Sequence, residues 1–507
     1  MRLDDLLEGM DSLDHMNLFG DMEVDRVVSD SRKVVPGSVF VAIPGTQYDG
    51  HRFIAQALAA GASVVVQSAP LDPDATGSFV RVSDSRRAYA LLNARMFGNP
   101  SEKLRVIGIT GTNGKTSTAL LLGHLLNSAG RRAAVLGTLG LLRPGAAEFL
   151  SGSLTTPDAA DIQQMLANLV REGATHLVME VSSHALQQQR VAGIRFAGGV
   201  FTNLSQDHFD YHGSMQDYAA AKEILFKDYL APQGGYAVIN LDDETGRSYA
   251  SRFDGLLLKY GTERASNLVI SEPQADASGV RWKLVLKNGI WPASLAEDSN
   301  MACLSCSLAG DFQVFNCTAA VGVALLESLE LSQVKDALAA FSNVPGRLQR
   351  VPNPAGINVY VDYAHTPDAV DNVVSALGRL VPQGNRLITV VGCGGDRDRS
   401  KRPQMGRIAQ QGSGLSIFTS DNPRTEDPSA IIDEILAGLD PDGGPWMRVE
   451  DRREAIQRAL AEASAGDFVL IAGKGHEDYQ ILRDRTIHFS DSEEVEKYFA
   501  GQGGSIT

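Results

Sequence analysis

The sequence predicts an α/β protein of three domains: a small N-terminal α/β domain, a central P-loop-type mononucleotide-binding parallel sheet and a C-terminal Rossmann-like domain. Three observations predict it. From about residue 102 onward, short apolar runs alternate with helical patterns, as they do in parallel sheets covered by helices on both faces. One strand-to-helix junction carries Gly111-Thr112-Asn113-Gly114-Lys115-Thr116. Two clusters of turn formers, Phe97-Gly98-Asn99-Pro100-Ser101 and Pro345-Gly346-Arg347, interrupt the alternation and set domains at 1–98, 99–344 and 345–507.

Composition narrows the function classes. The chain has 507 residues, 43% hydrophobic and 21% charged, which suits an ordinary globular protein. A net charge of −15 argues against nucleic acid as a partner. Phosphate binding, if present, must come from local features. Cys303, Cys306, Cys317 and Cys393 are too few for a disulfide framework, and Cys303-x-x-Cys306 has no second pair to complete a zinc site. Reduced thiols in a cytoplasmic protein are the expectation. No apolar run is long enough to cross a bilayer, and Met1-Arg2-Leu3-Asp4-Asp5 is too acidic for a signal peptide, so no membrane is expected.

Taken in order, Gly37–Gly45 reads as a strand entering a loop, Ala55–Ala60 as a helix and Ser63–Gln67 as a strand, a small α/β module. Val106-Ile107-Gly108-Ile109 is a buried strand, and Ala119–Leu122 with Leu125 and Leu126 is a helix ending near Gly130. The glycines between them let backbone N–H groups crowd against an anion, and the helix N-terminus adds partial positive charge. Lys115 would reach the β/γ-phosphates and the Thr116 hydroxyl a Mg²⁺ ion. Ile109 stands where the G-x-x-x-x-G-K-[ST] pattern has its first glycine; the plain alternative is a tight turn with a solvated lysine. Strands follow at 133–137, 176–181, 198–202 and 236–240, with helices over 158–172 and 215–230. Residues 262–300 lose the alternation and read as short β segments of a side sheet, before a helix at 314–329. In the last domain the strands are 357–362, 386–391, 415–419, 447–450 and 467–472, with helices at 367–380, 403–411, 428–438 and 452–463. The tail from Gly501 reads as disordered.

Open α/β sheets bind ligands beyond the carboxyl ends of their strands. Glu180 ends one apolar run and reads as a Mg²⁺ ligand or as a cap. His208 lies in the polar stretch Thr202–His212; Mg²⁺ prefers oxygen, so a single histidine there reads first as a hydrogen-bonding residue. Lys222 by spacing is only a helical lysine. Gly392–Arg399, Thr419–Arg424 and Gly473–Glu477 all follow strands, and arginines with acidic companions suit a zwitterionic ligand. The alternative is three exposed turns with surface ion pairs.

These stretches together resemble the Mur ligases, ATP-dependent amide ligases of peptidoglycan precursor synthesis. The resemblance spans all three domains. It rests on Thr110–Thr116, Thr155-Thr156-Pro157-Asp158, Met179–Leu186, Asp207–Gly213 and Val361–Asp368. It implies that Gly111, Thr112, Asn113, Gly114, Lys115, Thr116 and Ser117 bind ATP, with Asn316 beside the adenine and Arg347, Asp362 and His365 on the far side of a cleft. Thr116 and Glu180 would hold one Mg²⁺. His208 would help hold a second with Lys222, which the family carries as a carbamate (N6-carboxylysine). Lys115, Lys222, His208 and Glu180 are thus the implied catalytic set. Ser29, Ser31, Thr155, Thr156, Ser182, Gln188 and Arg190 would contact a UDP-muramoyl dipeptide. Asp421-Asn422-Pro423-Arg424 resembles the signature of members that add meso-diaminopimelate, whose second carboxylate Arg424 can pair; Arg397, Gly473 and Glu477 would grip its amino-acid end. Leu154, Ser29 and Phe315 depart from the family pattern. The resemblance implies a monomeric enzyme joining small molecules. A folylpolyglutamate-type ligase and a non-catalytic ATP sensor are the competing readings.

Overall fold

Ile107, Val178, Val200 and Val238 lie on four parallel strands and are fully buried. Helices cover both faces, which is why these strands read as unbroken apolar runs instead of alternations. The computed structural model describes all residues except 19–21, 46–47, 151, 153, 208, 288–300 and 503–507. The described chain divides into two compact units. One comprises Met1–Leu268 with Ala319–Leu329; the other comprises Val269–Lys287, the described part of Ala293–Thr318, and the chain from Glu330 onward.

In the first unit the main sheet runs in the order Leu257–Gly261, Tyr236–Asn240, Phe196–Phe201, Arg105–Thr110, His176–Glu180 and Ala133–Gly137, all parallel. Gly140–Leu142 and Phe149–Leu150 extend its edge in antiparallel fashion. A second sheet of five strands is built from Ser12–Met16, Phe79–Val82, Ala62–Gln67, Ser38–Ala42 and Arg26–Val28. The helix Ser85–Met96, capped by the Asp84 carboxylate on the Arg86 and Arg87 amides, packs against Ala159–Arg171. Through that contact Val64, Ala88, Leu92, Ile162, Leu136 and Met179 join one core. Beyond Ile224 the helix carrying Lys222 widens into a π-helical turn, Leu225–Leu230.

In the second unit the sheet order is Gln349–Val351, Asn358–Asp362, Phe468–Ala472, Leu387–Cys393, Leu415–Ser420 and Trp446–Arg448. Only Gln349–Val351 is antiparallel. Side chains alternate between two cores. Tyr360, Leu470, Val391 and Phe418 meet Val370, Met405 and Ile431, while Val361, Ile471, Val390 and Ile417 meet Ile456, Leu460 and Val495. The region read as short β segments instead forms longer strands, Leu268–Asp276, Gly279–Leu286 and Met301–Cys306, the last two antiparallel. Gly279–Leu286 and Met301–Cys306 alternate between buried and wetter positions, unlike the fully buried parallel strands, and Leu268–Asp276 is buried only over its first three residues.

Candidate active site

The phosphate loop leaves the central strand at Thr110 and enters the helix Lys115–Ser128. Gly111 and Gly114 take φ of 147° and 85°, values that disfavour any side chain. A Cβ on Gly111 would lie 1.9 Å from Thr202 Oγ1, so the loop also needs glycine for close approach. The segment after the neighbouring strand straps the loop down. Thr112 N donates to Asn203 O at 2.8 Å, Asn113 N to Asn203 Oδ1 at 3.0 Å, and Thr202 Oγ1 to Asn113 O at 2.7 Å. Thr116 and Ser117 are buried in the first helical turn.

Two lysines meet here. Lys115 Nζ donates to Gly111 O and Thr112 O, both at 2.9 Å, and Lys222 Nζ donates to the same Gly111 O at 2.9 Å. Lys222 is almost fully buried, with its ammonium 4.3 Å from the Tyr218 ring centroid. Burial, reinforced by the Lys115 charge and opposed by Asp207, drives its pKa well below the usual lysine value. His208 lies outside the described residues.

Glu180, 1% exposed, aims its carboxylate at the same strand end and accepts from Thr138 N at 2.9 Å and Thr138 Oγ1 at 3.2 Å. A Cβ on Gly137 would stand 2.0 Å from Glu180 Oε1, so that glycine clears the cradle for the carboxylate. A threonine hydroxyl and a carboxylate are hard oxygen donors, a chemistry that fits Mg²⁺ better than a thiophilic metal. Thr155, Thr156, Ser182, Gln188 and Arg190 form a network continuous with Glu180. Thr138 Oγ1 lies 3.1 Å from Thr155 Oγ1, and Thr156 Oγ1 donates to Glu180 O at 2.9 Å and accepts from Ser182 N at 3.0 Å. Arg190 donates to Thr156 O at 3.0 Å and to Gln188 Oε1 at 2.6 Å. Ser31, in the N-terminal sheet region beside Ser29, donates to Gln56 Oε1 at 3.1 Å.

In the second unit the three predicted strand-end loops do come together. Asn422 Nδ2 donates to Glu477 Oε2 at 2.9 Å, and Arg424 Nη1 to Gly395 O at 2.8 Å. Gly473, at φ 120°, presses so close that a Cβ would lie 2.7 Å from Asp421 Oδ2. Pro423 turns its carbonyl onto Gly395, where a Cβ would come within 1.9 Å. Arg397 stays exposed, with Nη1 on Asp396 O at 3.2 Å. Sequence reasoning names Gly473 and Glu477 but misses Lys474 between them. Its fully buried ammonium sits 3.1 Å from Asn422 Oδ1, 3.2 Å from Glu477 Oε2 and 3.4 Å from Asp421 Oδ1. The only signal was the string Gly-Lys-Gly-His-Glu itself. Beneath lies a second missed pair: Arg452 grips Asp491 at 2.6 and 2.7 Å and the Ala472 carbonyl at 3.0 Å.

Elsewhere in this unit Asp362 caps a turn, accepting from Leu348 N at 2.7 Å and Ala364 N at 2.8 Å. Burial raises its pKa against the pull of Arg347. The Arg347 guanidinium lies 5.1 Å from the Tyr363 ring centroid, and His365 Nδ1 donates to Tyr363 O at 2.8 Å. Asn316 Nδ2 donates to Gln313 Oε1 at 2.9 Å.

A glycine loop at the end of a central parallel strand, with a second doubly wound sheet bearing a charged loop cluster, defines a multidomain phosphate-loop α/β protein. Residues 23–96 match the Mur ligase family catalytic domain, 109–324 the Mur ligase middle domain and 346–475 the Mur ligase glutamate ligase domain. The chain belongs to the Mur ligase family. A relative from Gloeobacter violaceus, UDP-N-acetylmuramoyl-L-alanyl-D-glutamate--2,6-diaminopimelate ligase, is 44% identical over 98% of this chain and 97% of its own. The protein of the same name from Clostridium botulinum is 39% identical over 94% and 95%. A solved structure of that name superposes with a TM-score of 0.72 at 33% identity, covering 99% of both chains. No helix among the described residues is long and apolar enough to cross a membrane.

Proposed function

We propose that the chain joins meso-2,6-diaminopimelate to UDP-N-acetylmuramoyl-L-alanyl-D-glutamate with hydrolysis of ATP, through an acyl phosphate, in peptidoglycan precursor synthesis. The observation that carries this reading beyond the family is the cluster of Asp421, Asn422, Lys474, Glu477 and Arg424. Its carboxylates suit ammonium groups, and its arginine suits the carboxylate that lysine lacks. The chain is read as domains of 1–98, 99–344 and 345–507, acting as a cytoplasmic monomer.

A carboxylate oxygen of the D-glutamyl residue forms a bond to the γ-phosphorus as the bond to the ADP oxygen breaks. The amine of diaminopimelate then attacks the acyl carbon, loses a proton, and inorganic phosphate leaves. In the first step Gly111, Thr112, Asn113, Gly114 and Ser117 wrap the phosphates and Lys115 offsets their charge. Thr116 and Glu180 would hold Mg²⁺, which would supply charge neutralisation to the transferring phosphate, and His208 and Lys222 would hold a second ion. The buried Lys222 ammonium loses a proton, and the free amine then forms an N–C bond to CO₂ with release of a second proton, turning a cation into an anionic oxygen donor. Thr155, Thr156, Ser182, Gln188 and Arg190 orient the dipeptide, while Ser29 and Ser31 hold the uridine end. Asn316, Arg347, Asp362 and His365 are assigned to ATP. Arg397, Asp421, Asn422, Pro423, Arg424, Gly473 and Glu477 bind the amino acid.

The test offers the purified protein ATP, Mg²⁺ and the UDP-muramoyl dipeptide with either diaminopimelate or lysine, and weighs the product. A gain of one diaminopimelate residue is expected. Equal incorporation of lysine, or no product, overturns the reading.

A further inference from the structure

Arg397 and Arg424 sit on different loops, yet both loops are held by one side chain that touches neither arginine. Arg402, on the helix Lys401–Gly412, has no exposed side-chain surface. Its Nη2 donates to Gly394 O at 3.1 Å and to Glu426 Oε1 at 2.8 Å, and its Nη1 to Glu426 Oε2 at 2.9 Å and Glu434 Oε2 at 2.8 Å. Glu426 completes the bridge by accepting from Asp396 N at 2.6 Å. The loops then bond directly: Gly395 N to Asn422 O at 2.9 Å, and Thr425 Oγ1 to Asp396 Oδ1 at 2.7 Å. Asp396 and Arg424 both adopt left-handed backbone, at φ 54° and 52°. Residues with side chains resist that conformation, so the surroundings must impose it. The hydrogen bond from Arg402 holds the Glu426 carboxylate down at about 2, so the bridge stays charged at any working pH.

We propose that Arg402 and Glu426 are positioning residues that lock the Arg397 loop to the Arg424 loop, and that this lock sets the preference for an amino acid with a second carboxylate. The inference rests on the reading given under Proposed function. A fork as short as guanidinium-to-carboxylate pairing tolerates little displacement, so loosening the frame costs affinity at that carboxylate first.

The experiment compares wild type, Arg402→Met and Glu426→Gln as full chains, measuring KM for diaminopimelate, KM for ATP, kcat, and the diaminopimelate-to-lysine selectivity. Glu426→Gln is expected to raise KM for diaminopimelate about tenfold and cut selectivity about tenfold, with KM for ATP within about twofold. Arg402→Met should do more of the same; if it fails to fold, Glu426→Gln carries the test alone. Unchanged selectivity in a folded variant, or an equal fall in every constant, overturns the lock. A wild type that uses neither amino acid overturns the underlying reading instead.

Discussion

Around Gly111 the chain brings two ammonium groups onto one carbonyl oxygen, whereas around Asp421 it sets a single buried ammonium among two carboxylates and an amide. The first crowds two lysine side chains together, and burial with that repulsion depresses the Lys222 pKa against the pull of Asp207. The second is largely neutralised from within and offers both signs at its rim. That difference separates a phosphate site from a zwitterion site more sharply than either loop's sequence does. It also sets where each would fail: the first through its backbone and its paired lysines, the second through loss of charge balance.

The largest effect should come from Lys222. Lys222→Ala removes the group assigned to become a carbamate, and turnover should fall by about three orders of magnitude while ATP still binds. Added short carboxylic acids should restore part of the rate. Turnover that survives the substitution would remove Lys222 from the reaction.

Gly111→Ala comes next. Its Cβ would collide with Thr202 Oγ1 and its φ of 147° is hostile to a side chain, so the loop must move. Nucleotide affinity, read by calorimetry, should weaken by about a hundredfold, with the amino-acid KM unchanged in a folded protein. A shift in the amino-acid constant alone would mean that the two sites had been assigned the wrong way round.

Lys474→Met tests the other half of the contrast. It leaves Asp421 and Glu477 facing one another without their counter-charge, and removing one partner from a buried ionic group costs about 3–5 kcal/mol. The KM for diaminopimelate should rise some ten- to a hundredfold, and the nucleotide affinity should hold. An unaltered KM would show that Lys474 only fills space.

Legibility in the sequence followed the same contrast. The phosphate loop is contiguous, so Gly111 to Ser117 with their flanking strand and helix could be read directly, as could the parallel sheets with their long apolar runs. The proposed zwitterion site is dispersed over three loops, and only residues inside recognisable strings, Arg397, Asp421–Arg424, Gly473 and Glu477, stand out. Lys474, Arg402 and Arg452 look like any helical or loop cation until burial is known, because no local pattern announces a buried charge. The helix Ser85–Met96 escapes sequence reading for another reason: seven of its twelve residues are buried, and the packing against Ala159–Arg171 and the sheet leaves no clean polar face.

The smallest effect on catalysis should come from the first unit's own buried carboxylate, Glu327, which lies at the wrong end of the strands to matter chemically. Arg105, His176 and Tyr236 begin three parallel strands whose other ends face the phosphate loop, and all three reach Glu327, at 2.5, 3.5 and 2.7 Å. Burial alone would raise the Glu327 pKa, but hydrogen bonds from His176, Arg105 and Tyr236 outweigh it and hold the group at about 2 against an ordinary 4.5. Because the folded pKa is the lower one, the stabilisation is complete above pH 4.5, declines as pH falls towards 2 and is absent below it. At about 1.4 kcal/mol per pH unit this is roughly 3 kcal/mol. Glu327→Gln should therefore lower the denaturation midpoint at pH 7 and flatten the acid side of the stability curve, leaving both KM values as they were. Arg452→Met, by contrast, removes a buried ion lying directly beneath the Gly473 loop and should disturb stability and the amino-acid KM together. If the two variants behaved alike, buried charge would be a matter of stability in both units, and the contrast between their sites would reduce to the loops alone.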